Sequence, residues 1–232
     1  GFQPNLVIIR DSSTNGADGL LWKSSVMSSE VTAKLGDAEA DIATDVIQSL
    51  DSDGFTLGTY ADVNGSGVYF SYIAFGGSDC TSSGTFCVNS YTGDGGASKA
   101  LTTVGFQPTL VSIKRSGATA GVFKTAEMAT NTTQLWSAAN EDTGGTMMKT
   151  LDATGFTVGN SANTNTNANT YWYFAFKDVS GAFDTGSFTG TGASNARTGL
   201  GFRPDAVFVK NSNATAAVPP YSNHSQPSGS IS

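Results

Sequence analysis

Short apolar runs alternate with long polar stretches along this chain, and three of the apolar runs are nearly the same phrase. Each opens on Gly-Phe, passes through proline and continues as an apolar run that ends in Arg or Lys, at residues 1–10, 105–114 and 201–210. Proline is tolerated at the start of a strand because it donates no ladder hydrogen bond there. The pattern therefore predicts β-strands at residues 6–10, 110–114 and 206–210.

A second phrase repeats between these strands. Residues 50–58 and 151–159 both read Leu-Asp, then Gly-Phe-Thr, and both end on glycine, and an aromatic-rich run follows each copy at 69–75 and 171–176. Alternating apolar residues predict strands, and the dense aromatic runs predict central strands with buried faces. The Asn/Gly/Ser/Thr-rich segments 61–67 and 160–170 predict turns.

One stretch has a helical pattern. Residues 36–50 place Ile42, Val46 and Leu50 at helical spacing, whereas the equivalent stretch of the second copy contains the pair Gly144-Gly145. A glycine inside a helix costs about 1 kcal/mol relative to alanine. If the copies share one fold, this stretch is loop and strand in both; a short helix in the first copy alone is the alternative.

Repeats of this length are whole β-domains rather than solenoid rungs. We predict an all-β protein of tandem antiparallel β-sandwich (jelly-roll-like) units of about 100 residues. The predicted organisation is a first unit at 1–78 that lacks the opening strand of the repeat, a complete second unit at 79–180, the opening strands of a third copy at 181–210, and an extended polar, Pro-containing arm at 211–232.

The incomplete copies at the two ends have three explanations. The chain is a piece of a longer array, or its two ends complete one domain between them so that 181–210 completes the first unit. Alternatively, each end completes a neighbouring chain by strand donation. The repeat pattern leaves all three open.

Charge excludes two partner classes. The formal net charge is −7, and the 12 Lys and Arg residues are scattered, with no run longer than the pair Lys114-Arg115. A nucleic-acid-binding protein needs a basic patch, and an anionic membrane surface also attracts basic clusters, so we expect neither partner. No apolar run approaches the roughly twenty residues of a membrane-spanning helix.

Candidate catalytic groups are sparse. The single histidine, His224, lies in the polar tail, whereas a Ser-His-Asp or Cys-His centre needs an imidazole held beside its nucleophile. Glu30 and Glu127 are the only plausible carboxylate pair for a glycosidase, and solvated loop acids explain them better. The glycine-rich pieces at 91–96 and 188–192 lack the lysine of a phosphate loop and are typical of hairpin turns. We predict a non-enzymatic protein without a cofactor.

Four oxygen-bearing residues form a weak candidate calcium site. Asp51, Asp53, Asp62 and Asn64 resemble the start of a calcium loop, but the twelfth position counted from Asp62 is Ile73, not an acid. Ordinary Asp/Gly turn chemistry is the stronger explanation.

The two cysteines, Cys80 and Cys87, are either a disulfide that closes a short loop or two free thiols. A disulfide here would stabilise the fold by roughly 2–3 kcal/mol in the chain-entropy model. No second Cys or His pair exists to complete a zinc site.

Two of the three tryptophans are candidates for a sugar-stacking platform. Trp172 lies in an aromatic strand and is predicted to be core, which leaves Trp22 and Trp136. They support an alternative function, a carbohydrate-binding adhesion module that recognises a host-surface glycan.

The full set of phrases resembles a repeated β-domain of tailed-bacteriophage virion surface proteins. The set is Gly-Phe-Gln-Pro-x-Leu-Val at 1 and 105, Gly-Phe-Thr at 54 and 155, the aromatic strands, and Phe-Thr-Gly-Thr-Gly at 188. The resemblance implies a structural protein of the virion surface, a capsid decoration or tail-fibre component. It would assemble with other virion proteins and with itself, a trimer being favoured, and no catalytic residue is carried over.

Overall fold

The computed structural model describes residues 1–11, 20–28, 30–36, 40–42, 44–136, 141–211 and 218–222. Within these ranges the chain is all-β, as predicted, with seventeen strands in antiparallel sheets and one single-turn helix. His224 and Pro227 lie outside the described residues. No helix in the described ranges is long and apolar enough to cross a membrane.

The first copy of the repeat forms a four-stranded sheet and a separate hairpin. The sheet has the order β3-β2-β1-β6, the hairpin pairs β4 with β5, and helix α1 lies between β5 and β6. The elements are β1 Leu6–Asp11, β2 Leu21–Ser24, β3 Ala33–Lys34, β4 Ile47–Asp51, β5 Gly54–Leu57, α1 Ala61–Asn64 and β6 Phe70–Phe75.

The second copy has a similar layout with nine strands instead of six, the additional ones being β7, β8 and β12. Its large sheet has the order β12-β11-β10-β9-β15-β7 and its small sheet the order β13-β14-β8. The elements are β7 Phe86–Thr92, β8 Lys99–Leu101, β9 Leu110–Arg115, β10 Val122–Thr125, β11 Thr133–Leu135, β12 Glu141–Asp142, β13 Met148–Asp152, β14 Gly155–Val158 and β15 Thr170–Phe176.

The third copy begins the same hairpin. Strands β16 (Ala206–Val209) and β17 (Val218–Ser222) pair with Ala206 opposite Ser222. That register repeats Leu6 opposite Ser24 in the first copy and Leu110 opposite Thr125 in the second. The third phrase therefore starts the same structural unit as the other two.

The stretch with helical spacing is loop and strand, because a buried threonine holds it to the sheet. The Ile47 amide donates to Thr32 Oγ1 at 3.1 Å, and the Met148 amide donates to Thr133 Oγ1 at 2.9 Å in the second copy. The strand that follows, β4 in the first copy and β13 in the second, therefore begins with the same hydrogen bond in both copies. Residues 37–39 and 43 lie outside the described residues. The observed helix, α1, falls instead in a segment predicted as a turn, where it buries Val63 in the core.

The apolar strands are buried on both faces, which places cores on both sides of each large sheet. Leu6 and Ile8 of β1 face one hydrophobic cluster, whereas Val7 and Ile9 face another. Successive strand residues point to opposite faces, so a strand between two cores is a continuous apolar run. The first-copy core lies between β1–β6 and the β4–β5 hairpin, and the second-copy core between the six-stranded sheet and β13-β14-β8.

A third cluster, the shared core, lies between the large sheets of the two copies. It joins Leu6, Ile8 and Trp22 of the first copy to Phe174 and Phe176 of the second. The equivalent residues Phe75 and Phe176, which end the two aromatic strands, contact each other with ring centroids 4.8 Å apart. The two copies therefore pack through the same face of the same sheet, in a β-sandwich-like arrangement.

One buried lysine recurs at the equivalent position of the sheet in each copy, and it was not singled out from the sequence. The Lys23 ammonium donates to the carbonyls of Ser28 and Val31 at 3.1 and 3.0 Å. The Lys124 ammonium donates to the carbonyls of Ala129 and Thr132, both at 2.7 Å. Burial lowers the pKa of both side chains. Each lysine closes the turn after its strand, and the recurrence of Lys at matched positions of Leu-Trp-Lys-Ser (21–24) and Val-Phe-Lys-Thr (122–125) was the signal available.

Candidate functional site

The sugar-platform prediction for Trp22 and Trp136 is wrong in this structure. Trp22 is fully buried, Trp136 is 8 % exposed, and both lie in the shared core. Trp22 packs edge-on against Phe174 at 5.5 Å, and Trp136 Nε1 donates to Ser112 Oγ at 2.9 Å. Packing between the copies covers both indoles, so neither presents a face on which a sugar could stack.

The calcium candidates are engaged in separate local contacts. Asp51 accepts a hydrogen bond from Thr56 Oγ1 at 2.8 Å, and Asp152 accepts the equivalent bond from Thr157 at 2.7 Å. The recurrence of this contact shows that the aspartate clamps the β-hairpin in each copy.

The other three candidates lie at the hairpin tip and in the helix. Asp53 is exposed and pairs with the amino group of Gly1 at 2.9 Å, Asp62 lies in α1, and the Asn64 amide donates to the Gly58 carbonyl at 2.8 Å. Across the described residues, no group of three or more His, Cys, Asp or Glu side chains is arranged to hold a metal ion.

Cys80 and Cys87 form a disulfide. It ties the first residues of β7 to the loop before that strand, and Cys87 is fully buried in the second-copy core. The bond therefore fixes the start of the strand that covers one edge of β15.

The two carboxylates considered for catalysis lie in different surroundings. Glu30 has a left-handed backbone (φ 68°), as does its equivalent Asn131 (φ 68°), in the turn closed by the buried lysine. Glu127 accepts a hydrogen bond from Thr185 Oγ1 at 3.1 Å. The two acids thus occupy different positions of the repeat.

The feature that distinguishes the copies is an aromatic surface of the first copy, which we call the aromatic face: Phe2, Phe55, Phe70 and Tyr72. Tyr72 is 58 % exposed, whereas its equivalent Tyr173 is fully buried. Phe2 is 52 % exposed, whereas its equivalent Phe106 is 2 % exposed. Tyr72 and Phe2 are therefore exposed where their equivalents are core, and Phe55 and Phe70 are half-buried where their equivalents Phe156 and Tyr171 are fully buried.

The geometry within the aromatic face is already that of a core. The rings of Phe55 and Tyr72 pack edge to face at 5.0 Å and 74°. The equivalent pair Phe156 and Tyr173 packs at 5.1 Å and 81° in the second-copy core. The first copy thus presents a pre-formed half of a hydrophobic core.

Strands β7 and β8 cover these positions in the second copy. Strand β7 pairs along the whole of β15, and β8 pairs with β14, placing Leu101 opposite Phe156. In the part of the chain that the structure describes, β6 and β5, the first-copy equivalents of β15 and β14, are each paired on one side only. The aromatic face therefore lies beside two strand edges whose backbone groups have no strand partner among the described residues.

Tyr91 anchors the covering strand. Its ring stacks on Tyr171 at 5.1 Å, and its hydroxyl donates to the Thr164 carbonyl at 2.6 Å. Burial, followed by the neighbouring phenols Tyr171 and Tyr173, raises the pKa of Tyr91 well above its ordinary value.

The raised pKa predicts a loss of stability in alkali. Below about pH 10 the phenol is protonated in both states; above it, the unfolded chain ionises while the folded state retains the proton, so the free energy of unfolding falls as pH rises. We expect Tyr91→Phe to lose less stability than the native protein between about pH 8 and about pH 10.5, measured by urea unfolding at both pH values. Equal losses would contradict this role, and comparing the two proteins cancels the opposite contribution of the buried lysines.

The aromatic face was only partly predictable. The sequence predicted that the first copy lacks the opening strand of the repeat, but it singled out none of the four aromatic residues. These four residues could have been found by aligning the two copies residue by residue. The alignment identifies the first-copy positions that the missing opening strand would contact.

Comparison with known families matches residues 81–182 to the model of a domain of unknown function (DUF7483). Neither a curated protein nor a solved structure gives a match. The matched range comprises the second copy with its covering strands β7 and β8, so the part of the chain that resembles a known family is the copy in which the aromatic positions are covered.

Proposed function

We propose that this protein is a non-enzymatic structural component of a bacteriophage virion surface, a capsid decoration or fibre protein, that acts by subunit assembly. Its copies serve as tandem sandwich units, and the aromatic face is the contact through which units join. The observation that carries the proposal is the exposure of Tyr72 and Phe2 at positions where the second copy buries Tyr173 and Phe106.

Physical reasoning supports a partner at this surface. Contiguous exposed apolar side chains mark interaction surfaces, and a strand edge open to pairing is a template for another chain. The contacting pair Phe55 and Tyr72 lies beside such an edge among the described residues, and the phage assignment itself comes from the resemblance of the repeated phrases.

The glycan-binding alternative loses the residues on which it depended, because Trp22 and Trp136 are buried. Exposed tyrosines remain at Tyr69 and Tyr72, with exposed fractions of 43 % and 58 %. Substituting these two tyrosines one at a time distinguishes subunit assembly from glycan binding in one experiment.

The test is the native mass by light scattering after size exclusion, for the native protein, Tyr72→Ser and the matched control Tyr69→Ser. We expect a trimer or larger assembly that Tyr72→Ser weakens at least tenfold in dissociation constant, about 1.4 kcal/mol. Tyr69→Ser should leave it intact, since the equivalent Thr170 stays exposed in the covered second copy.

Three results would contradict the proposal. A native protein that is monomeric at high concentration would exclude assembly. Glycan binding that both tyrosine substitutions abolish would favour the adhesion module. Absence of the chain from purified particles of the phage that encodes it, by mass spectrometry, would exclude the virion assignment.

A further inference from the structure

We infer that the aromatic face of the first copy binds residues 183–200 of a second copy of this chain. In that complex the third copy's opening segment takes the place that β7 and β8 take in the second copy. The inference rests on the proposed function, because it names the partner of the same assembly surface.

The sequence of the segment matches the strands that it would replace. Residues 91–95 read Tyr-Thr-Gly-Asp-Gly and residues 188–192 read Phe-Thr-Gly-Thr-Gly, and each precedes a Gly-Phe-x-Pro phrase. The match equates Phe188 with Tyr91 and Phe183 with Phe86 and, with one residue fewer in the turn, Arg197 with Leu101. The chain thus carries one covering segment that it uses and a second that joins no sheet in the part of the chain that the structure describes.

The segment is available in its own chain. Phe183 stacks on Phe176 at 4.7 Å, and Phe208, beyond the segment's other end, contacts Trp136 at 6.2 Å. Both contacts are with the second copy of the same chain. Between them, residues 184–200 are largely exposed and form no strand ladder among the described residues. Phe188, for example, is 48 % exposed. Between its two anchors the segment is therefore exposed and has no strand pairing among the described residues, as a donor strand for a second copy would be.

The pairing of β7 with β15 gives the register of the proposed complex. Tyr91 lies opposite Tyr171, and Ser90 lies opposite Trp172. Transferred to the first copy, this register places Phe188 opposite Phe70 and Ser187 opposite Ser71. The Tyr91–Tyr171 stack, with an interplanar angle of 12°, becomes a stack of Phe188 on Phe70.

The segment places charged residues at two buried positions of the strands that it would replace: Asp184 takes the place of Cys87, and Arg197 takes the place of Leu101. Of these two, Arg197 is suited to this face. The pairing of Leu101 with Phe156 transfers to Arg197 opposite Phe55. A guanidinium on an aromatic ring is favourable, and the Arg197 guanidinium already lies 4.9 Å above the Phe188 ring. The segment therefore combines an aromatic anchor and a cation, both complementary to exposed rings.

This contact is heterologous, since the donor and acceptor surfaces differ. Heterologous contacts close into rings or continue as filaments, according to the rotation between subunits. Each chain offers one acceptor surface, the aromatic face, and one donor segment, residues 183–200. In a ring such as the expected trimer, every subunit therefore makes two contacts, one through each.

The test is a cross-link between two singly substituted proteins. A mixture of Ser71→Cys and Ser187→Cys chains, oxidised mildly and separated by non-reducing electrophoresis, should give a disulfide-linked dimer of the two. The native cysteines are already bonded to each other, which leaves the new thiols to react. The matched control mixes Ser71→Cys with Thr185→Cys, two residues out of register, and should give at least about tenfold less dimer, since disulfides need Cα atoms within about 7 Å.

Arg197→Glu provides a second variant that does not depend on cysteine chemistry. Arg197 is exposed, so folding should be unchanged by circular dichroism, while the dissociation constant of the assembly should rise about tenfold.

The outcomes separate this inference from the proposed function. Assembly that is sensitive to Tyr72→Ser but gives no Ser71–Ser187 cross-link and tolerates Arg197→Glu keeps the function and overturns this partner. A cross-link confined to single chains of the Ser71→Cys/Ser187→Cys double variant shows that the segment folds onto its own first copy, and likewise overturns it. A native protein that is monomeric would contradict both the proposed function and this inference.

Discussion

Replacing Trp22 by alanine should lower the free energy of unfolding by roughly 3–5 kcal/mol, the range for large aromatic deletions in cores. Trp22 is fully buried and packs on Phe174 of the other copy. Its removal leaves a cavity in the shared core, between two sheets that are each held in place on the far side. Urea unfolding followed by circular dichroism measures the loss, and because the shared core joins the copies, we expect one transition for both.

Trp22→Phe is the matched control. Phe123 occupies the equivalent position, and Trp22 Nε1 is buried without a hydrogen-bond partner among the described residues. Phenylalanine keeps most of the packing and removes that donor, so the loss should be less than half that of Trp22→Ala. An alanine variant within about 1 kcal/mol of the native protein, or two separate unfolding transitions, would show that the copies do not share a core.

Asp41→Asn should destabilise the protein by about 3 kcal/mol, through a buried charge left without its partner. Asp41 of the first copy pairs with Lys114 of the second at 3.4 Å, and its other oxygen accepts the Gly117 amide at 2.6 Å. The Lys114 side chain is fully buried, with its ammonium also donating to the carbonyls of Arg115 and Gly117. The pair therefore ties the two copies together at the edge of the shared core.

Two variants control for this effect. Asp53→Asn removes an exposed carboxylate and should change the free energy of unfolding by less than about 0.5 kcal/mol. Lys114→Met in the Asp41→Asn background removes the uncompensated charge and should recover part of the loss. A double variant less stable than Asp41→Asn alone would contradict the ion-pair explanation.

The pH dependence of the Asp41→Asn deficit has a definite sign. Burial lowers the pKa of Lys114, and the Asp41 carboxylate opposes that shift. Without Asp41 the folded pKa falls further below the unfolded value, so over a wider window the unfolded chain binds the additional proton and stability rises with pH. The deficit should therefore shrink between about pH 8 and about pH 10. A deficit that is constant over this range would argue against the role of the lysine charge.

Local sequence was sufficient for the strands of the repeated phrases but not for the segment 61–67, which was predicted as a turn and contains helix α1. The proline-led apolar runs became β1, β9 and β16, and the aromatic run at 171–176 became the central strand β15. The physical reason is that strand periodicity and turn chemistry act over a few residues, and the repeated phrases state them more than once. Repetition also resolved the ambiguous stretch at 36–50, because the threonine that holds β4 recurs at Thr133.

Long-range packing decided the candidate site. Trp22 and Trp136 looked available for a ligand until the two large sheets met, and Tyr72 looked like core until its strand proved to be an edge in the described chain. Burial depends on which surface lies opposite, and that surface comes from another copy of the repeat about a hundred residues away. The sequence therefore determined the repeat and the strands of its phrases, whereas only the tertiary structure decided which of its matched aromatic residues are core and which remain exposed.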